Sequence, residues 1–110
     1  MQLRNLLIAS LGLAMAAGAA GAASAATPWQ AHHPARAEVN HRLSHLNRDI
    51  RIDLRHGRIS PVEAARLEGR LRMIRHQERV MAMRDGGHLT RFEQARLNHE
   101  EAGVRAHLPA

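Results

Sequence analysis

The sequence predicts an all-α fold: three helices joined by two repeated glycine turns, each an αα-hairpin corner, with the middle helix shared. Three observations carry this. Apolar residues recur at steps of three and four along three segments. Two of those segments open on a hydroxyl residue with glutamate three places on, Ser60/Glu63 and Thr90/Glu93, the signature of a capping box. Just ahead of each start stands a glycine, Gly57 and Gly87, suited to the left-handed residue that closes a helix.

The first element is not part of the fold. Met1-Gln2-Leu3-Arg4-Asn5 is a short positive leader, and from Leu6 to Ala26 the chain carries no charge. That order is the n-region and h-region of a secretory signal peptide, residues 1–25, with Ala23-Ser24-Ala25 as small residues ahead of a cut before Ala26, or before Thr27. Strongly apolar residues stop at Met15, too short a run to span roughly 30 Å of hydrocarbon, so stable membrane insertion after cleavage is not expected. The expected location is periplasmic or secreted.

Residues 26–36 hold two prolines and no helical period, and read as a flexible leader; the three-helix domain is expected over 37–108. In its first helix Val39, Leu43, Leu46, Ile50 and Leu54 form one stripe that ends near His56-Gly57. The second helix opens at Ser60-Pro61-Val62-Glu63, with Ser60 as cap and Pro61 in the first turn, and runs to about Arg84. The third starts at Thr90 and is thinly apolar, with Phe92, Leu97, Val104 and Leu108. Laying Gly57 on Gly87 matches Ile59 with Leu89, Ser60 with Thr90, Glu63 with Glu93, Arg66 with Arg96 and Leu67 with Leu97, an internal repeat of one helical corner.

The middle helix has two apolar sides. At about 100° per residue, Leu67, Leu71, Ile74 and Met81 gather on one, while Val62, Ala65, Met73, Val80 and Met83 gather on nearly the other. A helix apolar on two faces needs cover on both. The thin third helix is too little for that, which predicts a homodimer or an exposed apolar groove flanked by Arg72, Arg79 and Arg84.

Composition narrows the function. The chain of 110 residues has 16 basic side chains, all arginine, against 10 carboxylates, for a net charge of +6, and no cysteine. Its charge favours anionic partners, and for an exported protein these are lipid head groups and envelope polymers. Nucleic acid is not expected, because the mature part offers only Trp29 and Phe92 for stacking on bases. Catalysis finds no support: there is no cysteine nucleophile, no phosphate-cradling glycine loop and no His-Glu-x-x-His, and Ser60 and Thr90 are used as caps.

Two metal readings were open to these residues. Gly57, Ile59 and Glu63 occupy the glycine, hydrophobic and final glutamate places of a calcium loop, but the oxygen-donor places hold Ile52, Leu54 and His56, and in the second copy Ala82, Arg84 and Gly86. Calcium is therefore not expected, since it takes six or more oxygens. His41, His45 and Asp49 follow at four-residue steps on one side of the first helix, a spacing that can chelate Zn²⁺, Ni²⁺ or Cu²⁺. Arg42 and Arg48 beside them oppose a cation.

The words Leu89-Thr90-Arg91-Phe92-Glu93 and Ile59-Ser60-Pro61-Val62-Glu63 resemble the twice-occurring Leu-Thr-x-x-Gln motif of the periplasmic Spy and CpxP-like stress proteins, with glutamate in place of glutamine. The resemblance implies a helical dimer whose basic, partly apolar face holds unfolded clients without ATP. The residues supply methionines on an arginine-rich helix, and methionine suits adaptable binding surfaces. The leading expectation is a small, non-catalytic, chaperone-like or stress-related envelope protein that contacts protein clients or itself through Met73, Val80 and Met83 with Arg72, Arg79 and Arg84. The alternatives are a metal-binding or metal-sensing protein using His41, His45 and Asp49, and a structural component bound to anionic envelope polymers.

Overall fold

A computed structural model describes residues 25–109. The signal peptide predicted over 1–25 lies outside them except for Ala25. Among the described residues there are four helices: α1 (Pro28–His32), α2 (Pro34–Arg55), α3 (Pro61–Arg84) and α4 (Arg91–Arg105). Among the described residues there is no strand, and no helix is long and apolar enough to cross a membrane.

The expected leader is corrected first, since α1 and the first turn of α2 fall within it. Its two prolines start helices rather than prevent them: each stands at the first helical position, where a missing N–H costs nothing and the fixed φ is already helical. Thr27 adds a capping box of its own. Its hydroxyl accepts from the Gln30 N–H at 3.1 Å while its own N–H donates to Gln30 Oε1 at 2.8 Å.

From residue 32 onward the chain forms one compact unit in which α2, α3 and α4 pack on one another. Arg36 near the start of α2 meets Glu78 near the end of α3, so those helices run antiparallel. Glu38 meets Gln94 and Asn98 while Asp49 meets Arg105, so α2 and α4 run parallel, giving an up-down-up bundle. The core comprises Val39, Leu43, Leu46 and Ile50 from α2, Ile59 from the first corner, Ala64, Leu67, Leu71, Ile74 and Met81 from α3, and Leu97, Val104 and Leu108 from α4 and the turn after it.

Two stripe assignments differ from expectation. Leu54 is exposed and Asp53 takes its inward place, because a step of three from Ile50 stays over the core at the helix end and the carboxylate pairs with Arg58 at 3.1 Å. Phe92 is exposed, since it lies in the first turn of α4 while the stripe that faces inward is Leu97, Glu101 and Val104.

The corners follow the capping logic. Gly57 has φ +71° and donates to the Leu54 carbonyl at 3.1 Å, and the Arg58 N–H reaches the Asp53 carbonyl at 2.8 Å, the paired bonds of a Schellman motif. At the second corner the Gly87 N–H reaches the Ala82 carbonyl at 2.7 Å, and both Gly86 and Gly87 have positive φ. Gly86, at φ +68°, is thus the counterpart of Gly57, not Gly87, and this corner has one residue more before its cap. Ser60 accepts from the Glu63 N–H at 3.1 Å. Thr90 does the same for Glu93, whose carboxylate returns a bond to the Thr90 N–H at 2.9 Å, so a full box forms at Thr90 and only its hydroxyl half at Ser60.

Candidate functional site

The outer side of α3 follows from the sequence period. With Leu67, Leu71, Ile74 and Met81 turned into the bundle, Val62, Met73 and Met83 point away from it. Met73 is 63 % exposed and Met83 79 % exposed, values that exclude an ordinary core role for either thioether. Val80 is half-buried and lines a shallow groove of about 320 Å³ between α3 and α4 with His76, Gln77, Met81, Arg84 and Arg96. Arg72, Arg79 and Arg84 are exposed. Burying such a methionine against a partner gains on the order of 1.5–3 kcal/mol, and no such gain is realised within the described chain.

His41, His45 and Asp49 do share one side of α2, but they do not converge on a common point. The rings of His41 and His45 meet edge to face with centroids 4.4 Å apart. Arg48 donates to His45 Nδ1 at 2.8 Å, and Asp49 is taken by Arg105 at 2.7 Å. Among the described residues no group of three or more His, Asp or Glu side chains is disposed to hold a metal ion. The i, i+4, i+8 spacing was right for a row, but the neighbouring arginines engage the donors that a cation would need.

That same side of α2 forms a cleft with α4 of about 240 Å³, lined by His41, Arg42, His45, Leu46, Glu101, Ala102 and Arg105. Glu101 is 2 % exposed, and neither carboxyl oxygen has a hydrogen-bond partner. Burial pushes its carboxyl up to about 7; Arg42 pulls the other way, and Glu38 and Glu100 add to the rise. Glu38, by contrast, is held below the usual carboxylate range by hydrogen bonds from Asn98 and Gln94, with Arg42 adding to this.

No family model, curated protein or solved structure matches this chain. The chemistry must be read from its own side chains.

The residues that a reading by apolar stripes misses are carboxylates standing in apolar places. Each long helix has one inside its core-facing row: Asp53 in α2, Glu78 in α3 and Glu101 in α4. Asp53 is balanced by Arg58 and Glu78 by Arg36, whose side chain is largely buried with it. Only Glu101 of the three has no ion pair or hydrogen bond. The signal that could have found them is the period itself. Leu71, Ile74, Glu78 and Met81 keep the steps of three and four unbroken, and so do Leu97, Glu101, Val104 and Leu108.

Proposed function

We propose that this chain is a small, non-catalytic binding protein of the bacterial envelope, exported after cleavage of residues 1–25, that holds partly unfolded acidic protein segments on the outer side of α3. The observation that carries the reading is the exposure of Met73 and Met83, with Val62, on a helix face flanked by Arg72, Arg79 and Arg84. At about 100° per residue Val62, Met73 and Met83 fall within an arc of about 80° of the helix surface, and an arc of about 140° takes in the three arginines as well. Flexible thioethers adapt to varied apolar side chains, while the arginines favour clients of opposite charge and speed their encounter. A second copy of the chain is the competing occupant of the face, and self-association would make the working form a homodimer. The resemblance of the two corner motifs to the Spy and CpxP-like proteins agrees with a client-holding role.

The test is suppression of aggregation of reduced α-lactalbumin, an acidic client, by the mature chain, followed by light scattering with size exclusion run in parallel. The parent is expected to suppress aggregation, and Met73→Gln/Met83→Gln to lose most of that activity while staying helical. A parent without activity, or a double variant with full activity, overturns the reading. A dimer that dissociates in the double variant, with client binding absent, assigns the face to the second copy instead.

A further inference from the structure

The outer side of α3 carries a second row with the period of helix packing. Val62, Gly69, His76 and Met83 stand seven residues apart, and Arg66, Met73 and Val80 stand four after each of the first three, so the steps alternate four and three. The inner row of the same helix keeps the same period. Ala64, Leu67, Leu71, Ile74, Glu78 and Met81 alternate steps of three and four, and all are buried where α3 packs on α2 and α4. The inner row is thus filled by helices, while on the outer row Val62, Met73 and Met83 are exposed. A strict seven-residue row drifts about 20° per heptad around a straight helix, and a second helix crossing at about 20° follows that drift.

Gly69 is the least expected member of the outer row. It stands in mid-helix, where glycine is unfavourable, and the packing of the bundle does not require it, since an added Cβ would meet only Arg72 Nη2, at 3.6 Å. What glycine supplies is a notch between Arg66 and Met73, a hole for one large apolar side chain of a docked helix. Charge selects the helix. Among the described residues none of the six arginines of α3 is in an ion pair, whereas arginines of α2 and α4 pair with Glu38, Asp49, Glu78 and Glu100. A second copy would bring six arginines against six, with only Glu63 and Glu68 outside the core of α3 to offset them.

We infer that the occupant is an acidic amphipathic helix of the client. The segment is unfolded when free and becomes helical on α3, with its apolar row in the seam, a large side chain over Gly69 and its carboxylates toward the flanking arginines. This rests on the holding role proposed above and names the form in which the segment is held. Arg66 is the charged place within the seam, and it favours a carboxylate over a lysine at the facing position of the client. Binding and folding are one event, as in other helix-in-groove contacts, and the ordering of the segment keeps affinity low for the area covered.

The experiment uses the mature chain and three labelled peptides of 22 residues, the span from Val62 to Met83. The first has leucine in a heptad row and glutamate around it, like charges that keep the free peptide unfolded. The second has the same composition with its leucines spread evenly around the helix, and the third is the first with lysine for glutamate. Fluorescence anisotropy reads affinity and circular dichroism reads helix. The acidic heptad peptide is expected to bind and to gain helix on binding, with the other two weaker by about tenfold or more. Gly69→Gln fills the notch with a better helix former, so it is expected to keep or raise the urea midpoint while weakening the acidic heptad peptide about tenfold. Equal binding of the two acidic peptides, or binding without a gain of helix, overturns the inference and leaves the holding role standing. No peptide bound by a chain that still suppresses α-lactalbumin aggregation does the same, whereas no peptide bound and no suppression removes both. A lysine peptide that binds as well as the acidic one, or Gly69→Gln with the parent's affinity, also overturns the inference. So does a parent of twice the chain mass in light scattering that falls to one chain in Gly69→Gln, which gives the seam to a second copy.

Discussion

Arg36 Nε lies 2.5 Å from Glu78 Oε2, and its Nη2 lies 3.4 Å from Oε1, so the first turn of α2 answers a carboxylate buried near the far end of α3. Glu78 is 1 % exposed. Removing one partner of such a pair leaves an uncompensated charge in the interior, which costs about 3–5 kcal/mol, whereas replacing both with apolar side chains is often neutral or better. Arg36→Met is thus expected to lower the urea midpoint sharply, and Arg36→Met/Glu78→Leu to return it to near the parent value. A single variant within 1 kcal/mol of the parent would mean that the pair contributes little to the fold.

Glycine substitutions should move stability in opposite directions at two positions. Gly57 has φ +71° with nothing within 4 Å of an added Cβ, so Gly57→Ala costs only the left-handed backbone term, about 1–2 kcal/mol. Gly69 sits inside α3 with ordinary helical φ, and an added Cβ meets only Arg72 Nη2 at 3.6 Å. Gly69→Ala should therefore stabilise by about 0.8–1 kcal/mol, the helix-propensity difference. Urea unfolding of the two variants beside the parent reads both signs.

Glu101 gives the fold a pH dependence with a definite sign. Its carboxyl titrates near 4.5 when exposed and is pushed up to about 7 in the bundle, so between those values the folded state holds a proton that the unfolded state has released. Stability is highest at and below about pH 4.5 as far as this group is concerned, falls as pH rises toward 7, and levels off above. Unopposed, the loss is on the order of 3 kcal/mol. Glu101→Leu should flatten this part of the profile and be more stable than the parent at pH 8. A parent whose stability rises through the same window, with the variant parallel to it, would show that the Glu101 carboxyl is solvated or paired in solution.

The helical architecture was legible because its signals are local. Ser60, Thr90 and the glycines declare where helices begin and end through backbone bonds to residues three to five places away, and the Leu67, Leu71, Ile74 row needs only the 3.6-residue period. The carboxylates were not legible in the same way. The period puts Glu78 in the inward row between Ile74 and Met81, but nothing within a few residues supplies the opposite charge that lets a carboxylate stay there; that comes from Arg36, 42 residues earlier, in a stretch whose two prolines suggested a leader. The His41, His45, Asp49 row was visible as a spacing, yet its fate is set by Arg105 on another helix. The exposed side of α3 falls between these cases, since the period puts Met73 and Met83 opposite the core but only the packing of α2 and α4 decides whether anything covers them.

The methionines of α3 provide the last test, because core and contact roles predict opposite responses in the same helix. Met81 is buried among Leu67, Leu71 and Ile74 in the core cluster, so Met81→Ala should cost about 2–5 kcal/mol through lost burial and the cavity left behind. Met73 and Met83 are mostly exposed, and glutamine keeps their length and helix propensity. Met73→Gln and Met83→Gln should each change monomer stability by no more than about 0.5 kcal/mol, as surface substitutions do. If the outer side of α3 is the contact face, these two near-neutral variants are also the ones that weaken client holding. The arginines beside them should make that binding salt-sensitive, with slower association as the screening length shortens from about 10 Å at 0.1 M to about 3 Å at 1 M salt. Stopped-flow association at several ionic strengths, with urea unfolding of all three variants, measures both halves. A loss of several kcal/mol on replacing Met73 or Met83 would mean that the face is covered in the working form, and a light-scattering mass twice that of the chain would identify the cover as a second copy.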